Sequence, residues 1–256
     1  MKGTEIIANS QHHDWRAKVS VSMLAYNQQP WIAKAIESVM AQKTDFFFEL
    51  VIGEDCSDDL TLEICKRYQQ EFPYHIKILS STKNIGNRRN SIRNLNECAG
   101  KYIAILSGDD FWGDTNKLQD QVDFLDANDD FSASVTQAAI EYHGHLDKRF
   151  ESNYARKQEV WDGEDVINTP SFAAASSIVF RKADLLPLPR WFEGVAYGDS
   201  AIRGILAKRG KFHYLQRKAT TYRCNDWGLL HQLRKKGSAY MADAAKTIQQ
   251  HIFQHA

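Results

Sequence analysis

The sequence predicts an α/β fold, a mixed, mostly parallel sheet flanked by helices, on three observations. Strand-like and helix-like segments alternate through the first half of the chain. One apolar run ends in Gly53-Glu54-Asp55, and a later one ends in Ser107-Gly108-Asp109-Asp110. Near-continuous apolar strands joined by helical crossovers belong to sheets covered on both faces. Ligands of such sheets sit beyond the carboxyl ends of the strands, where clustered acids need a cation or hydrogen-bond donors to hold them together.

Each element follows in order. Val19 to Ala25 reads as the first strand. The helix after Pro30 carries Ile32, Ala35, Ile36, Val39 and Met40 on one face, and proline is tolerated in a first helical turn. Glu49 to Gly53 is a second strand. Asp58 or Asp59 can cap the helix that carries Leu62, Ile64, Cys65 and Tyr68, and Ile76 to Leu79 is a third strand. Gly86 to Cys98 predicts a helix with Ile92 and Leu95 inward. Ile103, Ile105 and Leu106 form the strand that delivers the double aspartate, and Gly108 lets the backbone turn as that strand exits. Asn116 to Ala127 spaces Leu118, Val122 and Leu125 as a helix.

The second half is less regular, and Asp126 to Val160 is largely polar apart from a strand-like stretch from Phe131 to Ile140. Ser176 to Phe180 predicts another strand, Pro187-Leu188-Pro189 a turn, and Ala201 to Arg209 a helix stopped by Gly210. Beyond Gly228, Leu229, Leu233, Tyr240, Met241, Ala244, Ile248 and Ile252 mark an amphipathic tail.

Composition narrows the classes. At 256 residues, 43% hydrophobic and 25% charged, the chain is long enough for one large domain. Lys plus Arg and Asp plus Glu both number 32, so there is no overall field for nucleic acid or an anionic membrane, and anion binding must be local. Cys56, Cys65, Cys98 and Cys224 form no C-x-x-C pair and suit a reducing compartment. The apolar stretch at the start is too short for a signal peptide, and nowhere do 18 apolar residues run together, so the expected location is the cytoplasm. No G-x-x-x-x-G-K-[ST], G-x-G-x-x-G or G-x-S-x-G occurs, which removes the main support for phosphate-loop, dinucleotide-binding and serine-hydrolase readings.

The chemistry concentrates in Asp109 and Asp110. Adjacent residues of an extended segment point to opposite sides, so one carboxylate faces a metal while the other meets a sugar hydroxyl or supports from behind. Asp110 is the expected metal ligand. Hard oxygen donors select Mg²⁺ or Mn²⁺, which keep waters and bind together with substrate phosphates. Alone, the pair reads equally well as a turn or N-cap.

Five segments in order carry a resemblance: Val21-Ser-Met-Leu-Ala-Tyr26-Asn27, Gly53-Glu54-Asp55-Cys-Ser-Asp-Asp-Leu-Thr61, Asn84-Ile-Gly-Asn-Arg88-Arg89-Asn90, Ser107-Gly-Asp109-Asp110-Phe-Trp112 and Tyr197-Gly198-Asp199. Over about Val19 to Arg223 the chain resembles family-2-like glycosyltransferases of the GT-A fold. The resemblance implies a nucleotide-binding half over about 19–112, an acceptor half over about 113–225, an N-terminal extension over 1–18 and a helical tail over 226–256. Tyr26, Asn27, Glu54 and Asp55 would border the nucleotide, with Asp55 accepting a hydrogen bond from the base. Asn84, Arg88 and Asn90 would flank nucleotide, diphosphate and sugar, Asp109 and Asp110 would meet ribose and metal, and Asp199 would be the catalytic base.

The implied reaction is a single inverting displacement at the anomeric carbon of a nucleotide-diphosphate sugar, assisted by Mn²⁺ or Mg²⁺, onto a saccharide or lipid-linked saccharide. Surface polysaccharide or glycoconjugate assembly is the implied setting. A sugar nucleotidyltransferase and a non-catalytic sugar-nucleotide-binding protein are the alternatives. Three departures bear on them: Ser107 and Gly198 stand where many relatives have acids, and Asn225 stands where Tyr222-Arg223-Cys224 is often followed by histidine. Arg223 suits either a phosphate contact or a structural ion pair.

Weaker candidates surround this set. Trp161, Trp191, Phe192 and Trp227 offer rings for stacking on an acceptor sugar, Trp191-Phe192 being the best placed because a loop to Asp199 follows. His143-Gly-His145 lacks further ligands at metal spacing. The tail, with Arg234-Lys235-Lys236, could touch a membrane at its inner face or pair two copies of the chain, but packing on its own domain is the simpler role.

Overall fold

The computed structural model describes residues 4–7, 17–142, 145–146, 158–169, 172–224, 236 and 238–254. Its first half alternates strands and helices: β1 (Thr4–Ile7), β2 (Val19–Ala25), α1 (Ile32–Met40), β3 (Phe48–Glu54), α2 (Thr61–Glu71), β4 (Ile76–Ser81), α3 (Asn87–Asn96) and β5 (Tyr102–Ser107). A short β6 (Phe111–Trp112) and α4 (Lys117–Ala127) lead to the long β7 (Phe131–Tyr142) and to β8 (His145–Leu146). After β9 (Val160–Trp161) come α5 (Gly163–Asn168), β10 (Val179–Arg181), the single turn α6 (Lys182–Leu185), α7 (Gly198–Ala207), β11 (Lys211–Cys224) and α8 (Ser238–Gln254).

The sheet runs β1-β4-β3-β2-β5-β10-β7-β11-β6, with β8 on β7 and β9 on β11. β4, β3, β2 and β5 are mutually parallel, so their carboxyl ends share one edge. β10 is antiparallel to both β5 and β7, and β11 runs parallel to β7. On one face, α1, α2 and α4 pack on Val19, Val21, Met23, Leu50, Ile52 and Leu106. On the other, α3, α5, α7 and α8 cover Val51, Leu79, Ile103, Phe180 and Phe212. The mixed, mostly parallel sheet between two helical layers is the predicted architecture.

Several features differ from the sequence reading, which also lacked the short elements β1, β6, β9, α5 and α6. The inward face of α3 is polar: Asn90, Arg93 and Asn94 are buried beside Leu95, while Ile92 is only half-buried. Ala175–Ser177 is a 3₁₀ turn, so β10 starts later than Ser176. β11 was not anticipated, because Gln216, Arg217 and Lys218 interrupt its apolar pattern; its pairing with β7 shifts register there. α7 starts at Gly198, three residues before the predicted Ala201.

The tail helix packs on its own domain. Ile248 and Ile252 are buried against α7, and Ile252 lies over Gly204, where a Cβ would sit 1.9 Å from its Cδ1. Among the described residues no helix is long and apolar enough to cross a membrane. The side chains of His143, His145, Asn225, Trp227, Leu229, Leu233, Arg234, Lys235 and Met241 lie outside the described residues.

Candidate functional site

The carboxyl ends of β2, β3 and β5 bring Tyr26, Asn27, Glu54, Asp55, Asp109 and Asp110 to one edge, with the start of α3 alongside. The loops are laced together by side chains. Asn27 holds φ 51°, a left-handed conformation that asparagine tolerates better than most residues. Its N–H donates to Ser57 Oγ at 3.0 Å, and its side-chain oxygen accepts the Asp58 N–H at 2.8 Å. Gln28 N–H donates to Thr61 Oγ1 at 2.8 Å. Leu60 stands at the N-cap of α2, and of Asp58 and Asp59 it is Asp59, one residue earlier, whose Oδ1 accepts the Thr61 N–H at 3.0 Å. Tyr26 beside this knot is exposed at 44%.

Glu54 and Asp55 brace the edge from within. Glu54 is fully buried; Oε1 accepts the Ser57 N–H at 2.7 Å, and Oε2 accepts from Cys56 N–H and the Ser80 hydroxyl. Asp55, 2% exposed, accepts Ile85 N–H on Oδ1 and Gly86 N–H on Oδ2, both at 2.9 Å. Burial pushes the Asp55 carboxyl above its ordinary pKa, while these two donors and the nearby Arg93 guanidinium pull it back. Asp55 thereby fixes Gly86, the residue before α3, which holds φ 87°. Asn84 Oδ1 shares the Gly86 N–H at 3.0 Å from an exposed position.

Two expected ligand contacts prove to be internal. Asn90 is 2% exposed; its amide donates to Gly53 O at 2.7 Å and accepts from Arg93 Nη2 at 2.6 Å, so it supports the floor beneath the edge. Arg93, which the sequence reading missed, is 4% exposed and donates to Ser80 O, Leu79 O and Glu54 O as well. The spacing of Asn90, Arg93 and Asn94, one helical face, was the available signal. Arg88 points across the cleft instead: Nε donates to Val195 O at 3.2 Å and Nη2 to Ala196 O at 3.3 Å.

The aspartate pair divides into one buried and one half-buried carboxylate. Asp110 is 1% exposed; Oδ1 accepts Arg223 N–H at 2.8 Å, and Oδ2 accepts the hydroxyl of Ser176, itself buried. Burial, then the adjacent Asp109 charge, raises its pKa well above the ordinary carboxylate value, against the pull of Ser176 and Arg223. Both Asp110 oxygens thus have partners within the chain, and Asp110 is the more enclosed of the two aspartates. Asp109 is half-buried and accepts the Ser107 hydroxyl on Oδ1. Ser107 thus serves the carboxylate directly where an acid would have repelled it.

Arg223 takes the ion-pair alternative. Its Nε donates to Glu141 Oε1 at 2.7 Å, both side chains being at least 83% buried, and its Nη1 donates to Asp109 O at 3.1 Å. Asp199 is exposed in the first turn of α7, where no side chain caps the helix. It lines a small pocket with Ile105, Ala174, Ile178, Ile202 and Phe212, so the pocket adjoins β5, the strand that leads to Asp109. Phe192 is fully buried, and Trp191 stacks on His251 of α8 at 5.1 Å with rings 2° from parallel. Phe192 is thus a core residue, whereas Trp191 stays half-buried with its ring packed on the tail helix.

Comparison with known proteins agrees with this layout. Residues 20–184, well over half of the chain, match the family described as Glycosyl transferase family 2. The protein Rv1520 of Mycobacterium tuberculosis is 27% identical over 223 residues, covering 83% of this chain and 60% of that protein. The chain thus spans about 60% of the length of this relative. A putative teichuronic acid biosynthesis glycosyltransferase, TuaG of Bacillus subtilis, is 31% identical over 113 residues, 44% of this chain and 43% of TuaG. Among solved structures, S. aureus TarS in complex with UDP-GlcNAc superposes with TM-score 0.66 at 18% identity, covering 83% of this chain and 60% of that one. The mannosyltransferase PcManGT from Pyrobaculum calidifontis, in complex with GDP-Man and Mn²⁺, gives 0.65 at 17% identity, covering 91% and 65%. With its sheet order, its acidic edge and the match over residues 20–184, the chain belongs to glycosyl transferase family 2 and carries the GT-A fold.

Proposed function

We propose that the chain transfers a sugar from a nucleotide-diphosphate sugar to an acceptor hydroxyl with inversion, in surface polysaccharide or glycoconjugate assembly. The observation that carries this reading is the separation of two carboxylates around one strand. Asp109 is presented at the end of β5, and Asp199 lines the pocket that Ile105 of the same strand shares. A leaving group held at the first and a hydroxyl deprotonated by the second are the two requirements of a single displacement.

Asp109 supplies a hard oxygen donor, and among the described residues no group of three or more His, Cys, Asp or Glu side chains gathers. That donor set fits Mn²⁺ or Mg²⁺, which accept few protein ligands when diphosphate oxygens and waters complete the shell. Bound there, such a cation would neutralise charge developing on the departing diphosphate. Asp110, Ser176 and Arg223 hold the Asp109 backbone from behind. Tyr26, with Asn27 and Asp55 fixing the loops around it, borders the nucleotide. Asp199, exposed at the pocket mouth, accepts the proton of the acceptor hydroxyl.

TarS and PcManGT, seen with UDP-GlcNAc and GDP-Man, and TuaG, named for teichuronic acid biosynthesis, support the substrate class and the setting. The test is release of nucleoside diphosphate from a panel of nucleotide sugars with Mn²⁺ and oligosaccharide acceptors, the product's anomeric configuration being read by NMR. Inversion supports the reading. Retention, or pyrophosphate release from a nucleoside triphosphate, overturns it.

A further inference from the structure

The side-chain position of Gly198 is filled by an arginine from another element. A Cβ built on Gly198 would lie 1.5 Å from Arg88 Nη1 and 2.3 Å from its Cζ, so the guanidinium occupies the volume that any side chain there would need. The same guanidinium donates to the carbonyls of Val195 and Ala196 and lies 5.0 Å from the Phe192 ring centre. It therefore grips the strap that leads into α7 at three points, and the next residue is Asp199. Burial lowers the Arg88 pKa, and the Asp199 carboxylate, within Coulombic reach, acts against that shift. Arg89 adds an exposed ion pair with Glu193 of the same strap.

The other end of this contact is equally fixed. Arg88 stands in the first turn of α3, whose start is tied to the β3 edge by the two backbone hydrogen bonds to Asp55. Asp55, Gly86, Arg88, Gly198 and Asp199 thus form one continuous path from the donor edge to the acceptor pocket. The fork of a guanidinium suits it to hold two carbonyls in a set geometry, which an ammonium cannot do.

We infer that Arg88 is the positioning residue for Asp199, and that Gly198 is glycine in order to admit it; this rests on the reading of the chain as a glycosyltransferase with Asp199 as base. Arg88 acts through Asp199 and does not bind the diphosphate, the role the sequence suggested for it. Reaction rate is sensitive to such placement because a base must lie within hydrogen-bond reach of the proton it takes.

The test compares Arg88→Ala, Arg88→Lys, Gly198→Ala, Asp199→Asn and the Arg88→Ala/Asp199→Asn pair with the wild type. The readout is nucleoside-diphosphate release, in water or with an oligosaccharide acceptor, from whichever of UDP-GlcNAc, GDP-mannose and a dTDP-sugar stabilises the wild type. Arg88→Ala and Gly198→Ala should each lower kcat by roughly 10–100-fold, with donor KM within about twofold. Arg88→Lys should recover only part of the loss. Adding Arg88→Ala to Asp199→Asn should cost nothing more, because the two act as one unit.

A raised donor KM at unchanged kcat would make Arg88 a diphosphate ligand, and additive losses would make it independent of Asp199; either overturns the assignment. Hydrogen exchange of the amides from Ala196 to Asp199 gives a readout without turnover: it should quicken in Arg88→Ala, and unchanged exchange also overturns it. If the wild type releases no diphosphate, or Asp199→Asn keeps the full rate, the glycosyltransferase or base reading fails instead. The exchange measurement then still decides whether Arg88 holds the strap.

Discussion

Asp55 Oδ2 accepts the backbone N–H of Gly86 at 2.9 Å, and through this contact the end of β3 sets where α3 begins. Gly86 and Ile85 have exchanged solvent for one carboxylate, and removing it takes the acceptor from Ile85 N–H and leaves Gly86 N–H with Asn84 Oδ1 alone. Asp55→Ala should lose about 1–3 kcal/mol of stability and weaken nucleoside-diphosphate binding. Calorimetric unfolding and hydrogen exchange at Ile85 and Gly86 check this; full protection of both amides in the variant would contradict it.

The division between Asp109 and Asp110 separates two variants that the sequence would treat alike. Asp109→Asn should lower metal-dependent nucleoside-diphosphate affinity by at least roughly tenfold, as even groups behind metal ligands do. Asp110→Asn should keep most of that affinity, since an amide still accepts from Arg223 N–H and can donate to Ser176. Isothermal titration with Mn²⁺ and the diphosphate distinguishes them, and a larger loss in Asp110→Asn would restore the original assignment.

Asp110 also carries a pH signature. An acid with a raised folded-state pKa binds its proton more tightly in the folded chain than in the unfolded one, so stability falls as pH rises from about 3.8 through the raised value. Asp110→Asn should flatten that fall and melt at or above the wild-type temperature near neutral pH. A lower melting temperature with an unchanged pH slope would contradict the burial argument.

Lys117 gives the opposite case. It is fully buried at the start of α4, its amine lies 4.3 Å from the Trp112 ring with no hydrogen-bond partner among the described residues, and burial lowers its pKa to about 7 against the pull of Asp114. A base with a depressed folded-state pKa costs stability while it must stay protonated, so stability should rise with pH between about 7 and 10.5. Lys117→Met should melt higher than the wild type near pH 6, about one unit below that pKa, with the gap closing toward alkaline pH. Thermal denaturation across pH checks both the sign and the window.

Trp191 tests the boundary between packing and recognition. Because its ring stacks on His251, Trp191→Ala should lose about 2 kcal/mol of stability and leave the acceptor KM unchanged. A selective rise in acceptor KM at unchanged melting temperature would return the ring to the acceptor site.

Most of the parallel half was legible because apolar runs and helical spacing are local signals. Val19 to Ala25 and Phe131 to Ile140 show the pattern on their own, and the acids after β3 and β5 mark an acidic edge. What escaped depends on contacts distant in sequence. Ser176 reaches Asp110 across 66 positions and Arg88 reaches Val195 across 107, and no local pattern reports either. The polar inner face of α3 was misread because buried Asn90 and Arg93 satisfy each other and the sheet edge, which a hydrophobic period cannot register. Trp191 is the converse case: its ring has the chemistry of a sugar platform, and its stacking on His251 comes from the docking of α8, distant in sequence.

The central claim is that this edge binds a nucleotide-diphosphate sugar with a divalent cation. Thermal denaturation with UDP, GDP and dTDP, their sugars and the corresponding triphosphates, each with and without Mn²⁺, tests it most directly, because a ligand of the native state alone raises its apparent stability. The account predicts Mn²⁺-dependent stabilisation by one diphosphate and its sugars, lost in Asp109→Asn. Preference for a triphosphate, or no response to any of them, would contradict it.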